Sequence, residues 1–247
     1  MIGRPNVSAE EIGTLIEKDQ VLSAKVLRLA NSPFYGFPSR IASVAHAVVV
    51  LGLNVVKGLT LCATAFDMMR NAGMNELWRH SLGVAMTAHI LGTKAAMKNP
   101  EEVFVAGLLH DIGKVVLYVK WPDVGQQITT VTRNTSRPLM DTEQELFEVT
   151  HADVGGWLAS AWHLPTSLRE PILHHHTPAA AQDAKLQTAI VHVADVLVKG
   201  LACGNPGDDL VPPLSRQAWD LVGLDAQSLA HCVAQATEEF QTIDDYL

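Results

Sequence analysis

One stretch constrains this chain more than any other. Val103–Leu117 reads Val-Phe-Val-Ala-Gly-Leu-Leu-His-Asp-Ile-Gly-Lys-Val-Val-Leu, apolar on nearly every face of a helix, yet it carries His110 and Asp111 side by side. A helix that is apolar all round is a buried helix. A buried carboxylate must be paired, hydrogen-bonded or bound to a metal. Lys114 is the only cation in the run. Two readings therefore stand: an Asp111–Lys114 ion pair with His110 as a core histidine, or an imidazole-plus-carboxylate centre in which Asp111 bridges two metal ions. Asn99-Pro100-Glu101-Glu102 marks the start of this helix, with Asn at the N-cap and Pro at the first position. The pattern predicts that it continues to about Lys120.

Strand signals are scarce and spacings of three and four dominate, so the fold class is all-α. Helices are predicted over Ser8–Lys18, Val21–Ala30, Ser43–Leu51, Asn54–Arg70, Met74–Met97, Asp141–Glu148, Ala152–Trp162, Pro165–His175, Ala184–Leu201 and Ala226–Tyr246, the last capped by Asp225. No element is assigned between Lys120 and Asp141. Asn71-Ala72-Gly73 suggests a boundary between a small N-terminal helical bundle (1–72) and a larger helical unit (73–247). Val44–Phe66 is long enough to span a membrane, but His46, Asn54, Lys57, Gly52 and Gly58 interrupt it, and it reads as two buried helices broken near Gly52.

Net charge is −8, and Lys and Arg exceed Asp and Glu only over residues 1–72, by seven to five. No nucleic-acid partner is expected from that balance, because a basic surface supplies most of such affinity. Cys62, Cys203 and Cys232 form no CxxC pair and no disulfide framework. Met1 precedes a polar stretch rather than the apolar core of a signal peptide, so a cytoplasmic protein without a membrane anchor is expected.

The remaining histidines divide by pattern. Glu76 and His80 stand four apart and share a helix face. His174-His175-His176 ends a helix ahead of Thr177-Pro178, where two of the three can converge at a terminus. His151 follows Thr150 at a helix start. Asp195 repeats the buried-carboxylate argument inside Ile190–Val198, and His192 three residues earlier reads as a supporting or core residue. His46, His89, His163 and His231 have no partner pattern and read as structural.

The order His80 … His110-Asp111 … Asp195 resembles the H…HD…D signature of HD-superfamily metallohydrolases, and Asp111-Ile-Gly-Lys114 is similar to their HDIGK helix. Glu76, His151, His175 and His176 fall where the HD-GYP branch places additional ligands. The rest of the chain is similar to the HDOD family. Leu22–Gly36, with Leu-Ala-Asn-Ser-Pro-Phe-Tyr-Gly at its end, carries that likeness first. Ser43–Asn54, His151–Gly155, Trp162–Pro165 and Ile172–Pro178 match later blocks.

The resemblance implies a bacterial signal-transduction module with two or more divalent transition metals (Fe, Mn, Ni or Zn). Glu76, His80, His110, Asp111, His151, His175, His176 and Asp195 are the implied ligands, with Lys114 and Asp111 in catalytic roles. It implies signalling proteins or a phosphorylated small molecule as partners. Many HDOD members have lost parts of the ligand set, but this chain keeps it whole. A metal-dependent phosphohydrolase and a non-catalytic interaction module with structural metals both remain open. The segment Thr177–Ala184 has three consecutive alanines and none of the glycine and tyrosine of the HD-GYP motif, so cyclic di-GMP is not the implied substrate. Alanine there favours continued helix over a glycine-dependent turn.

Overall fold

The computed structural model describes residues 16–32, 35 and 39–241, and among these residues there are helices, turns and loops but no strand. The first unit of chain contains α1 (Gln20–Ala30), α2 (Val44–Leu51) and α3 (Leu53–Asn71). The predicted helix at Ser8 lies outside the described residues. Asp19 caps α1 by accepting from the Val21 and Leu22 N–H groups, and Ser43 caps α2 by accepting from His46 N–H. Gly52 separates α2 from α3 with φ +86°, a left-handed conformation that a residue with a Cβ adopts poorly. The apolar stretch Val44–Phe66 is thus two helices, and among the described residues no helix is long and apolar enough to cross a membrane.

Asn31 explains part of the Asn-Ser-Pro-Phe-Tyr-Gly block. Its amide accepts from Ile41 N–H at 2.7 Å and donates to the Ile41 carbonyl at 2.9 Å, closing the loop that follows α1. Tyr35 in that loop packs its ring on Phe104, centroids 5.0 Å apart, which fastens the N-terminal motif to the core.

The centre of the molecule is α4 (Asn75–Lys94) against α5 (Pro100–Leu109), with α11 (Lys185–Gly200) crossing α4 and α13 (Ala226–Phe240) covering it. Leu82, Met86, Leu91, Phe104 and Leu109 are fully buried there. Each contributes roughly 1.5–3 kcal/mol by leaving water. One continuous apolar core runs from Val26 to Ala236, so the first three helices share it with the rest.

The predicted single helix from Pro100 to Lys120 is two. α5 ends at Leu109, and α6 (Ile112–Lys120) begins after Asp111, which has φ −98° and ψ 13°. α7 (Pro122–Thr135), unassigned from sequence, follows with Pro122 at its first position. Its Ile128, Thr129, Thr130, Val131 and Thr132 are β-branched and hide the helical pattern. Next come α8 (Leu139–Phe147), α9 (His151–Ala161) and α10 (Thr166–His174), then a 3₁₀ turn over Pro178–Ala180. α12 (Arg216–Val222) is a second helix the pattern did not reveal.

The chain after His176 does not continue as helix. Glu170, 7% exposed, accepts the N–H groups of Gln182, Asp183 and Ala184, and this collar ties the loop down against α10.

Candidate metal centre

The break at His110-Asp111 makes the site. Neighbours in a continuous helix point about 100° apart; across the break both side chains reach the same place, with His110 Nε2 3.2 Å from Asp111 Oδ2. The other contributors also sit at helix ends: His151 is the first residue of α9, and His175 and His176 follow the last residue of α10. His80 comes from the second turn of α4 and Asp195 from the interior of α11. The α9 start is fixed by a reciprocal capping box, in which Thr150 accepts from Asp153 N–H and Asp153 accepts from Thr150 N–H.

Gly113 sets how closely α6 meets that start. A Cβ at residue 113 would lie 1.9 Å from the His151 carbonyl oxygen and 2.9 Å from the Gly155 nitrogen. Both obstacles are backbone, so any larger residue must push α9 and His151 away from Asp111. This is the physical reason for glycine in Asp-Ile-Gly-Lys.

The two carboxylate oxygens of Asp111 face two different sets of imidazoles. Oδ2 lies near His110 Nε2 and is 3.8 Å from His80 Nε2. His80 and His110 also meet Asp195 Oδ1, at 3.1 and 3.9 Å. Oδ1 faces His151 Nε2 at 3.3 Å and His175 Nε2 at 3.7 Å. His176 Nε2 is 3.0 Å from His151 Nε2. The groups His80–His110–Asp195, His110–Asp111–His175 and His151–His175–His176 each present ligand atoms within 4.8 Å of one another. Donors held about 2.0–2.1 Å from one tetrahedral ion are about 3.3 Å apart. The observed spacings suit donors surrounding ions more than donors bonded to one another.

Hydrogen bonding leaves the inward nitrogens open. Nδ1–H of His110 donates to the Gly107 carbonyl at 2.7 Å, and Nδ1–H of His175 donates to the Ile172 carbonyl at 3.0 Å. These bonds fix the tautomers and turn each Nε2 lone pair inward. His80 Nε2, His110 Nε2, His175 Nε2 and Asp111 Oδ1 are buried with no hydrogen-bond partner. Buried polar atoms of this kind are rarely left unmatched, and four converging on one place fit a bound cation.

Electrostatics agree. Burial pushes His175 well below the ordinary imidazole value, with His176 and His110 adding to it. Burial and His151 push His176 down to about 3. Burial also lowers His80, against the pull of Asp195. Burial alone would raise Asp111, but the charge of His110 and then of Lys114 outweighs it and holds the carboxyl well below the usual range. Burial is likewise outweighed at Asp195, chiefly by the His80 imidazole 3.1 Å away. Neutral imidazoles and ionised carboxylates are the protonation states that ligation requires. His110 is the exception: burial lowers it, but Asp111 and Asp195 raise it overall, and the same negative pair favours a cation in place of that proton.

Lys114 is buried, with Nζ 2.7 Å from Asp111 Oδ2. The ion pair anticipated as a rival to the metal centre is therefore present within the cluster. His192 is satisfied at both nitrogens: Nδ1–H donates to the His175 carbonyl and Nε2 accepts from Ser215 N–H. It positions His175 and offers no free lone pair. His46 and His163 are exposed, away from these groups.

Glu76 departs from expectation. Its side chain is exposed and belongs to none of the convergent groups. It lies one turn before His80, at the solvent end of α4, where it lines a cavity that it shares with Lys114.

Glu143 escaped the sequence reading. It is fully buried, and its Oε2 accepts from both His151 Nδ1–H at 2.6 Å and His151 N–H at 2.8 Å. A carboxylate behind a ligating histidine fixes the orientation and tautomer of the ring. No motif spacing links Glu143 to His151; only the α8–α9 turn brings them together.

Comparison with known proteins agrees with this architecture. A crystal structure of an HDOD domain protein from Geobacter sulfurreducens superposes with a TM-score of 0.76 at 28% identity, covering 100% of this chain and 89% of that one. A Shewanella amazonensis SB2B protein provisionally named a phosphohydrolase gives a TM-score of 0.70 at 22% identity, covering 100% of this chain and 90% of that one. An uncharacterized Treponema pallidum protein is 26% identical over 215 residues, 85% of this chain, and the chain spans 42% of that relative's length. The HDOD domain model matches residues 1–178, a stretch that ends two residues after His176 and before Asp195. The chain belongs to the HDOD domain family.

Proposed function

We propose that this protein is a bacterial HDOD signalling module with a di-metal centre, and that it hydrolyses a phosphate ester. The observation that carries the reading is Asp111, whose two oxygens face separate imidazole sets. His80, His110 and Asp195 would hold one ion, and His151, His175 and His176 the other, with Asp111 between them. The all-nitrogen-and-oxygen donor set suits Fe, Mn, Ni or Zn. When bound, such ions supply Lewis acidity toward a phosphoryl oxygen. Lys114 stays cationic: burial opposes its charge, but Asp111 raises its pKa above the ordinary value. It holds Asp111 in place and lends positive charge where a phosphoryl group gains negative charge. Glu143 keeps His151 in the ligating tautomer. The phosphohydrolase name of the Shewanella relative supports the same reading.

The test is a phosphoester panel with metal-loaded protein. At least one phosphomonoester is expected to release phosphate, and Asp111→Asn is expected to abolish the release. Cyclic di-GMP is expected to turn over at well under about 1 per second, because the collared loop after His176 lacks the glycine-and-tyrosine segment of the HD-GYP branch. No release from any ester by a metal-loaded sample would overturn the catalytic reading and leave an interaction module whose metals cross-link helices.

A further inference from the structure

Beside the metal centre is a cavity of about 560 Å³ that includes Lys114, Tyr118, Glu76 and one face of α7, inside the roughly 300–1,000 Å³ range of small-molecule sites. Thr129, Thr132, Arg133 and Ser136 stand on that face at spacings of three and four. The threonines of α7 are not alike. Thr129, Thr130 and Thr135 each donate to the carbonyl four residues back, at 2.9, 2.8 and 2.7 Å. Thr132 does not: it is only 4% exposed, lines the cavity, and its hydroxyl has no partner.

The charges around the cavity sort in the same way. Arg137 is held by Glu145, and Asp208 by Lys199 and Leu139 N–H. Asp209 accepts from Asn205. Among the described residues Arg133 forms no ion pair, and Lys114 connects the cavity to Asp111. The lining thus mixes apolar wall from Met74, Leu77 and Leu210 with hydroxyls, an amide and carboxylates, and of its three cations, Lys114, Arg133 and Arg137, only Arg133 has no anionic partner among the described residues.

Resting on the metal-phosphoesterase reading above, we infer that this cavity binds the body of a small, hydroxyl-bearing phosphate monoester, with Thr132 and Arg133 as the residues that select it. The phosphate faces Lys114 and the metal cluster. The body's hydroxyls meet Thr132, Tyr118 and the carboxylates of Glu76 and Asp209. A phosphate on an alkyl chain can pack on the apolar wall but leaves the buried Thr132 hydroxyl unmatched.

Calorimetry on metal-loaded protein tests this with four probes: inorganic phosphate, a hexose phosphate, a nucleoside monophosphate and an alkyl phosphate of similar size. The expected result is that one or both hydroxylated esters bind at least tenfold more tightly than phosphate or the alkyl ester. The hexose and nucleoside arms distinguish a sugar ring alone from a sugar with a base. Thr132→Val, which keeps the shape and removes the hydroxyl, and Arg133→Gln are each expected to erase most of that advantage. Metal content and phosphate binding should be unchanged in both variants. The proposal is overturned if phosphate binds but hydroxylated esters bind no better, or if neither variant weakens them. Failure of inorganic phosphate itself to bind would instead locate the fault in the metal-centre reading, and the proposal would fall with it.

Discussion

Asp111→Ala is expected to lose most of the bound metal, whereas His46→Ala and His163→Ala retain the wild-type amount. Asp111 faces both imidazole sets, His110 and His80 through Oδ2 and His151 and His175 through Oδ1. Removing it deprives both positions of a ligand at once and leaves Lys114 as a buried cation without its partner. Truncating one member of a buried charge pair costs about 3–5 kcal/mol, so this variant should also unfold at lower denaturant. His46 and His163 are exposed, outside every convergent group. The check is elemental analysis of the three variants purified in parallel without chelator. Equal metal loss in all three would mean that the histidines are wrongly sorted.

Chelation is expected to destabilise the wild-type protein by a large margin. His80, His110, Asp111, His151, His175 and Asp195 are all buried, and burying an ion costs several kcal/mol unless another charge compensates it. A cation that binds only the folded chain stabilises it by about 2.7 kcal/mol at a hundredfold excess over its dissociation constant, and by about 4.1 kcal/mol at a thousandfold excess. For a chain of this size each kcal/mol moves Tm by roughly 2–4 °C. Removing the metal should therefore lower Tm by about 5–15 °C for each tightly held ion, and adding Mn²⁺ or Zn²⁺ should restore it. A Tm indifferent to chelator would contradict a metal that cross-links α4, α6, α9 and α11.

Much of this could be read from sequence, for reasons that differ by element. The start at Asp225 was visible because a short polar side chain satisfies a helix N-terminus locally; Asp19, Ser43 and Thr150 cap α1, α2 and α9 in the same way. His110, Asp111 and Asp195 stood out because charged or polar residues inside apolar helices need an explanation. What stayed hidden depends on three-dimensional paths. The break between α5 and α6 has no glycine or proline at Asp111; it accompanies the His110 bond to the Gly107 carbonyl. α7 was missed because its centre is β-branched and its cavity face, Thr129, Thr132, Arg133 and Ser136, is polar, leaving Ile128 as its one large buried apolar side chain. Glu143 reaches His151 through a turn whose geometry no spacing rule encodes. Glu76 kept its helical register with His80, but register alone did not decide which end of α4 the cluster occupies.

The most direct measurement is the metal content of the wild-type protein, purified gently and without chelator. Two facing sets of imidazoles around one carboxylate predict at least two transition-metal ions per chain. Less than about one ion per chain, in protein that is folded and has been offered Fe, Mn, Ni and Zn, would contradict the account at its root.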